Sequence, residues 1–308
     1  MNKMINRKLL PKEERLSFCI ADHGMEVVIP DTVDWIQVMP AFQPFKCDST
    51  AGKETICSIR VIEEPIDIKP DSIRVLKEEA DQFGYWFCLM ESDNNYIVDI
   101  LFVEDGVRYH MITDKTFSTA TAYVDCKDQY ADMIVSLFLM IAFGQSAIQH
   151  DTFLIHASAV ENAGEGYLFL GKSGMGKSTH SQLWLRYVEG SDLLNDDNPA
   201  IRIANDGVVH VYGTPWSGKA PCYKNRKVLL KAMVRLEQAP VNRFIWKTGV
   251  DALTTLLPSC LSMRWNESLY NRLCNLMEMV MDKVKIGYLE CLPDKEAALL
   301  CYTELKVF

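Results

Sequence analysis

Short apolar runs separated by polar turns dominate the first part of the chain. Runs at 85–90, 96–103 and 107–112 are rich in aromatic and β-branched residues, and Ser-Asp-Asn-Asn and Glu-Asp-Gly segments separate them. Runs of this kind between turn formers are typical of neighbouring antiparallel strands. A further strand-like run covers 59–68. The pattern predicts a smaller, antiparallel β-rich N-terminal domain over residues 1–127, to which the sequence assigns no chemistry.

Longer segments with helical spacing begin in the second part of the chain. Residues 130–148 are almost uninterruptedly apolar. Their apolar core is shorter than the ~20 residues that span a bilayer, so the pattern predicts a buried helix rather than a membrane segment. Segments 251–258 and 270–281 have helical apolar spacing, and 284–292 has the pattern of a strand. Residues 128–308 are therefore predicted to form an α/β (α+β) domain.

Two strand candidates precede the most specific motif of the chain. They cover residues 152–160 and 166–170, and a short stretch rich in turn formers separates them. Because so short a connection cannot hold a crossover helix, we expect an antiparallel hairpin. In the common parallel nucleotide-binding sheet, helices join the strands beside the phosphate loop. The sequence thus predicts a mixed sheet on a different scaffold.

Residues 171–179 read Gly-Lys-Ser-Gly-Met-Gly-Lys-Ser-Thr, a complete phosphate-binding loop (P-loop) between a predicted strand and a predicted helix. The glycines let successive N–H groups turn toward phosphate oxygens, and the helix adds its positive dipole end. Lys177 supplies a mobile charge for the β and γ phosphates, and the Ser178 hydroxyl offers a ligand to Mg²⁺. The motif predicts ATP and Mg²⁺ as cofactors. The predicted nucleotide-binding residues are Gly171, Ser173, Gly174, Met175, Gly176, Lys177, Ser178 and Thr179.

A pair of carboxylates follows the predicted helix. Residues 192–197 read Asp-Leu-Leu-Asn-Asp-Asp, which suggests a strand end that delivers Asp196 and Asp197 beside the phosphates. One carboxylate is suited to hold Mg²⁺ and the other to take the proton from an attacking hydroxyl. Adjacent aspartates are most often a solvated turn, but their place after a P-loop favours the functional interpretation.

Together these residues resemble the HPr serine kinase/phosphorylase family, which shares a scaffold with phosphoenolpyruvate carboxykinases. The resemblance is carried by His156 on the preceding strand, by the hairpin into residues 171–178, and by the run that ends at Asp197. It covers approximately residues 150–240. It implies an ATP-dependent kinase that phosphorylates a hydroxyl, which in the best-known members of the family belongs to a protein serine.

The resemblance also implies roles for individual residues. His156 lines the active site, Asp196 is the catalytic base, and Asp197 is its neighbour on the metal side, with Ser178 as a second metal ligand. The bifunctional members of the family carry a metal-holding glutamate on a later strand. His210 stands at the comparable place here, which puts phosphorylase activity in doubt.

Three further residues are candidates for binding the substrate. The loop after a predicted hairpin over 201–212 contains Trp216, Ser217 and Lys219. The indole is able to stack on a ring, and the other two side chains are able to bind an anionic group; an ordinary surface loop explains them equally well. Arg235, inside an apolar run, is another anion-binding candidate, for which a salt bridge to a neighbouring acid is the alternative.

Composition narrows the class of protein. The formal charge of −9 over 308 residues argues against nucleic-acid binding, which relies on basic residues that neutralise phosphates. Ten scattered cysteines without a Cys-x-x-Cys pair fit reduced thiols, and the charged residues 1–15 lack the apolar core of a signal peptide. A cytoplasmic enzyme without nucleic-acid or membrane partners is expected, and a homo-oligomer is compatible with the sequence.

Two functions remain at this stage. In the first, the chain is a kinase that transfers the γ-phosphoryl group of ATP to a protein or peptide serine, or to a small hydroxylated metabolite. In the second, it is a nucleotide-responsive binding module with little or no phosphotransfer. An Asp196→Asn change separates them, because only the kinase hypothesis predicts loss of transfer with nucleotide binding retained.

Overall fold

The chain folds into two mixed β-sheets and several α-helices, an α+β arrangement, in a computed structural model. The structure describes residues 12–48, 53–66, 73–80, 84–218 and 220–306. The helices are α1 (Trp35–Val38), α2 (Ala131–Ser146), α3 (Lys177–Tyr187), α4 (Gly249–Leu256), α5 (Glu267–Met281) and α6 (Lys295–Lys306). The predicted helices at 130–148, 251–258 and 270–281 are thereby confirmed, with small shifts at their ends.

The first sheet has the strand order β3-β1-β2-β4-β9-β8-β7-β6-β5. Its strands are β1 (Glu13–Ile20), β2 (His23–Pro30), β3 (Lys46–Cys47), β4 (Thr55–Ile62), β5 (Arg74–Ala80), β6 (Tyr85–Glu91), β7 (Asn95–Phe102), β8 (Arg108–Asp114) and β9 (Thr119–Tyr123). The three runs predicted as adjoining strands form β6, β7 and β8 of an antiparallel meander. The predicted run at 59–68 ends as a strand at Ile62, and residues 67–68 lie outside the described residues.

The prediction that this sheet is antiparallel throughout is wrong. Strand β4 pairs in parallel with β2 on one side and with β9 on the other. A parallel neighbour has to be reached by a long connection rather than a tight turn, so local turn signals carry no trace of it. The turn residues predicted the meander, whereas no feature of the sequence predicted the parallel pairing of β4.

The second sheet carries the predicted hairpins. Its strands are β10 (Thr152–Leu154), β11 (Ala157–Asn162), β12 (Glu165–Leu170), β13 (Ser191–Asn195), β14 (Ala200–Ile203), β15 (Val209–Tyr212), β16 (Lys227–Gln238), β17 (Arg243–Lys247) and β18 (Lys285–Cys291). Strands β11 and β12 pair antiparallel, as do β14 and β15, and β16 runs parallel to β12. The sheet is mixed, as the short connection into the glycine-rich motif predicted.

One predicted strand, 152–160, is in fact two. Strands β10 and β11 are separated by Ile155 and His156, and in this gap the N–H of Ile155 donates to the carbonyl of Pro199 at 3.2 Å. The segment from β13 to β14 therefore follows β11 and β10 along their length. From β14 the pairing continues through β15, β16, β12 and β11 to β13. Hydrogen bonds between Asn195 and Thr214 hold the loop after β15 against the end of β13.

Alternation along β12 separates two apolar cores. Tyr167 and Phe169 face a cluster that includes Trp184 of α3 and Cys301 of α6. Leu168 and Leu170 belong to the larger cluster, which also contains residues of α4, α5 and the first sheet. Since successive side chains of a strand point to opposite faces, both faces of β12 are covered and the strand is apolar throughout. The end of β12 is thus held on both sides at the point where the glycine-rich loop begins.

Helix α2 joins the two sheets. It contacts β4, β8 and β9 of the first sheet and β10 of the second. With the short turn that continues it, the stretch Ala131–His150 is long and apolar enough to cross a membrane by length and composition, so the length argument made from the sequence is wrong. Of that stretch, 67% is buried inside the protein, and we conclude that α2 serves as a core helix.

Candidate active site

The glycine loop, residues 171–176, connects β12 to α3. Gly174 and Gly176 have φ values of +80° and +98°, and a Cβ added at either would meet no atom within 4 Å. Glycine is therefore required there by backbone conformation and not by crowding. Helix α3 starts at Lys177, and no side chain caps its N-terminus. Its first N–H groups are consequently available to an anion, as a phosphate-binding loop requires.

Lys177 lies in the first turn of α3 and is only 8% exposed. Its ammonium donates a hydrogen bond to the carbonyl of Gly171 at 3.2 Å. Burial lowers the pKa of Lys177, and the nearby charges of Asp197 and Asp196 act in the opposite direction. The structure therefore brings together three of the residues singled out in the sequence, one cation and two carboxylates, at the end of β12.

The side chains of His156 and Asp197 are in contact at this place. The distance from His156 Nε2 to Asp197 Oδ1 is 3.2 Å, and both side chains are more than one third exposed. The gap between β10 and β11 positions them, because the His156 N–H donates to the carbonyl of Ser259 and the next N–H donates to the carbonyl of Asp197. Asn198 adds a hydrogen bond to Asp197 Oδ2 at 2.7 Å. Asp197 is thereby fixed while one side stays open to solvent.

Asp196 is far more enclosed than its neighbour, with an exposed fraction of 4%. Its Oδ1 accepts a hydrogen bond from the Ser158 hydroxyl at 2.8 Å, and that hydroxyl also lies 2.6 Å from the Ser181 hydroxyl of α3. Its Oδ2 is buried without a hydrogen-bond partner in the described structure. A buried carboxylate oxygen left unpaired is costly, so this atom is suited to a proton or a cation.

Sequence reasoning missed Ser158 and Ser181. A signal for Ser158 was present, since His156 and Ser158 are two polar residues at alternate positions of an otherwise apolar run. That spacing places side chains on one face of an extended chain. Ser181 had no comparable signal, because a serine one turn into a helix is usually a solvated residue or a local backbone partner.

The loop after β15 closes over the acid pair. The Asn195 amide donates to both the carbonyl and the hydroxyl of Thr214, at 3.2 and 3.1 Å, and its Oδ1 accepts from the Asp197 N–H at 3.0 Å. A Cβ added at Gly218 would lie 3.2 Å from the Asp196 carbonyl oxygen. That distance is shorter than most Cβ contacts, so a side chain at this position would require the loop or Asp196 to shift slightly.

The substrate-binding predictions in this loop fare differently from one another. Trp216 is 4% exposed, donates from Nε1 to the Ser136 carbonyl of α2, and lies against Phe42 and Phe143. The suggestion that it stacks on a ligand ring is therefore wrong, because it is a core residue. The Ser217 hydroxyl donates to the carbonyl of Ala220 at 2.7 Å. Lys219 lies outside the described residues.

Arg235 is half-buried on β16, in register with Leu170 at the base of the glycine loop. It therefore points to the face of the sheet that carries α4, and its Nη1 donates to the Thr255 carbonyl of that helix at 3.1 Å. Neither predicted partner, an anionic ligand or a neighbouring acid, is needed to explain this contact. Its place beside the loop keeps Arg235 a candidate for anion binding.

Two histidines of the motif region prove to be structural. His180 packs edge-on against Phe169 and is 3% exposed, and burial lowers its pKa to about 4. His210 pairs with Leu229, and Arg235 lies six residues further along β16. At the rise of a strand this places His210 about 20 Å from the loop end of the sheet. Contact between His210 and a phosphate on the loop is therefore not expected.

Oxygen ligands for Mg²⁺ are present in the form the ion prefers. Asp196 Oδ2 lacks a partner, Asp197 lies beside it, and the Ser178 hydroxyl is exposed in the first turn of α3. Among the described residues, no three His, Cys, Asp or Glu side chains gather into a metal-binding group. Mg²⁺ is usually held by one or two carboxylates together with waters and substrate phosphates rather than by a protein cage.

Comparisons with known proteins add little to this geometry. No family model matches the sequence, and no curated protein matches it. Among solved structures, the chain is similar to the HPr(Ser) kinase/phosphatase from Coxiella burnetii, with 14% sequence identity and a TM-score of 0.32 over 50% of this chain and 88% of that chain. The likeness is distant, and it carries no conclusion about activity.

Proposed function

We propose that this chain is an ATP-dependent kinase that transfers the γ-phosphoryl group to a hydroxyl acceptor. The observation that carries the proposal is the convergence of Lys177, Asp196 and Asp197 at the end of a glycine loop whose helix has an uncapped N-terminus. The helix end and the ammonium suit the phosphates of a nucleotide, and the carboxylates suit a metal ion and a proton. Phosphoryl transfer needs these groups and little covalent chemistry from the protein.

The two aspartates have different surroundings, and we infer different roles from them. The sequence resemblance implied that Asp196 is the base and Asp197 the metal-side residue. The geometry favours the reverse. Asp197 is 36% exposed, contacts His156, and lines two cavities that open at the site, whereas Asp196 is enclosed with one unpaired oxygen. A base has to reach the acceptor hydroxyl, and a buried unpaired oxygen suits the cation.

The residues of this site would then divide the work of transfer. Asp197 accepts the acceptor's hydroxyl proton, and His156 and Asn198 hold its carboxylate in place. Lys177 exchanges its bond to the Gly171 carbonyl for the β and γ phosphates, and Ser158 orients Asp196. Mg²⁺ held by Asp196 and Ser178 would neutralise phosphate charge and align the γ-phosphoryl group.

The test is phosphate transfer from γ-labelled ATP in an extract of the source cells, with a variant of the loop lysine. We expect wild-type protein to label a discrete protein, peptide or metabolite, and Lys177→Ala to lose at least about 10³-fold of that labelling. Lys172→Ala is the matched control, because Lys172 is an exposed lysine of the same loop. It should retain most of the activity.

The alternative function gives a different result in the same experiment. If the wild-type protein binds ATP and labels no acceptor above the Lys177→Ala background, the kinase proposal is wrong. The chain would then be better described as a nucleotide-responsive binding module. ATP binding is measured separately by calorimetry, so that loss of transfer is distinguished from loss of the nucleotide.

A further inference from the structure

A large apolar cavity lies between the first sheet, helix α2 and the segment at 260–265. Its volume is 670 Å³, within the range of about 300–1,000 Å³ that is typical of ligand pockets. Most of its wall consists of apolar side chains from distant parts of the chain, among them Phe87, Leu89, Val98, Met140 and Met263. A cavity with mostly apolar walls favours aromatic or aliphatic groups.

The wall also includes the polar side chains of Lys77, Glu79, Gln145, Ser262 and Arg264, of which Gln145 is the buried one. Gln145 of α2 is 3% exposed, and its amide nitrogen donates to the carbonyl of Leu261 at 3.2 Å. Its Oε1 has no hydrogen-bond partner in the described part of the chain. An amide oxygen buried without a partner is destabilising, and a donor brought in by a ligand would remove that cost. The terminal torsion of glutamine is soft, so the amide is able to turn Oε1 toward a ligand in the cavity at the cost of its bond to Leu261.

The cavity adjoins two smaller cavities that reach the candidate active site. Cys260 and Leu261 also line a cavity of 320 Å³ whose other wall contains His156 and Asp197. On the other side of α2, Tyr85, Leu137 and Met140 are shared with a cavity of 430 Å³ that again reaches Asp197. The apolar cavity thus has neighbouring cavities on two sides that extend toward the proposed base. A ligand that occupied all three would be larger than a single small metabolite.

We propose that the acceptor is a peptide segment whose tryptophan or tyrosine side chain occupies the 670 Å³ cavity while its hydroxyl-bearing residue lies at Asp197. The aromatic ring satisfies the apolar wall, and the indole N–H or phenol O–H donates to Gln145. An extended peptide spans the distance between the two places, and its backbone follows the connecting cavities. The position of the hydroxyl rests on the proposed kinase function, whereas the aromatic preference of the cavity does not.

Peptide binding tests this directly. Short fluorescein-labelled peptides carry one serine in a glycine and alanine background, and a tryptophan is moved one position at a time along them. Binding to the full chain with ATP and Mg²⁺ is measured by fluorescence anisotropy. We expect tryptophan at one or two positions to tighten binding by at least about tenfold relative to the peptide without it, because an indole buried beside a hydrogen-bond acceptor is a strong anchor.

Two matched variants locate the binding. Ser262 lines the cavity, and its change Ser262→Trp fills the space and should abolish the tryptophan preference. Ser268→Trp adds the same side chain at an exposed position of α5 outside the cavity and should leave the preference unchanged. In Gln145→Leu we expect the advantage of tryptophan over phenylalanine at that position to disappear, while phenylalanine itself still binds.

The outcomes separate this proposal from the kinase proposal. If no tryptophan position binds more tightly than alanine, or if Ser268→Trp lowers the preference as much as Ser262→Trp does, the cavity is not the recognition site. Transfer of label to the bound peptides is scored independently. A selective peptide that binds but is never phosphorylated would support the cavity and count against the kinase. Phosphorylation without any aromatic preference would do the opposite.

Discussion

Around the glycine loop, the side chains that face one another are polar and come from a short stretch of chain, 156–197. The walls of the 670 Å³ cavity are mostly apolar, and they come from residues as far apart as Lys77 and Trp265. In the first region, hydrogen bonds such as that from Ser158 to Asp196 fix each group. In the second, shape arises from the packing of a sheet, a helix and a loop. The comparison indicates that the proposed chemistry depends on polar groups fixed by hydrogen bonds, whereas the proposed recognition depends on an apolar cavity shaped by packing.

The largest expected effect is on phosphoryl transfer, and it distinguishes the roles of the two aspartates. Asp197→Asn should lower transfer by about 10³-fold or more, because the base is removed, and leave the Mg²⁺ requirement unchanged. Asp196→Asn should also lower transfer, but with a clear increase in the Mg²⁺ concentration needed for half-maximal rate. Steady-state rates across a Mg²⁺ titration measure both effects.

The same variants also test whether the two regions are independent. Neither change should alter the binding of tryptophan peptides by more than about twofold, since both carboxylates lie outside the apolar cavity. Equal Mg²⁺ dependence in the two variants would show that our assignment of base and metal ligand is mistaken. The assignment implied by the family resemblance would be supported if Asp197→Asn alone shifted the titration.

A smaller effect concerns the buried histidine behind the glycine loop. Burial holds the pKa of His180 at about 4, against about 6.5 in an unfolded chain. As the pH falls, the unfolded chain binds the proton first, so the stability that neutral His180 supports is complete above about pH 6.5 and is lost between there and about pH 4. Each pH unit in this window costs about 1.4 kcal/mol.

The measurement is the midpoint of urea unfolding at pH 7 and at pH 5. His180→Phe should reduce the loss of stability between these pH values, because the aromatic ring keeps its contact with Phe169 and cannot be protonated. His150→Gln is the control, since His150 lies partly exposed between the sheets and pairs with Glu54. An unchanged pH dependence in His180→Phe would mean that this site does not stay neutral in the folded protein.

The smallest effect compares two glycines, one from the glycine loop and one from the turn between β7 and β8. Gly176 and Gly106 both have positive φ, +98° and +67°, and a Cβ at either position meets no neighbour within 4 Å. Replacing either glycine by alanine should therefore lower the free energy of unfolding by a similar amount, about 1–2 kcal/mol. Only Gly176→Ala should weaken ATP binding, because only that backbone presents N–H groups to phosphate. A similar loss of ATP binding in Gly106→Ala would contradict the assignment of the nucleotide to the loop.

The sequence predicted those parts of the structure that depend on neighbours in the chain. The hairpin of β11 and β12, the glycine loop and α3 follow from turn residues, φ requirements and helical spacing, all of which are local. The break at His156 and the burial of Trp216 could not be predicted from the sequence, because both depend on distant partners. His156 is bonded to Ser259, and Trp216 is bonded to α2. Tertiary packing decides such features, and it leaves no periodic signal in one segment.

The same limit applies to the site. Lys177, Asp196 and Asp197 were recognised by residue type and spacing, and the structure places them together. Which aspartate is open and which is enclosed depends on the loop around Gly218, which approaches only after β15 has returned to the end of β13. The apolar cavity had no signal at all, since a leucine in a cavity wall and a leucine in a core look alike in the sequence.

The parallel pairing of β4 with β9 has a consequence for how the molecule assembles. The strands of the meander lie between β4 and β9 in the sequence, so pairing these two strands closes a long loop. The entropy lost in closing that loop is not offset until the contacts between the two strands form. The hairpin that carries the glycine loop needs no such closure. We therefore expect refolding in two phases, in which protection from hydrogen exchange appears in β11 and β12 well before it appears in β4.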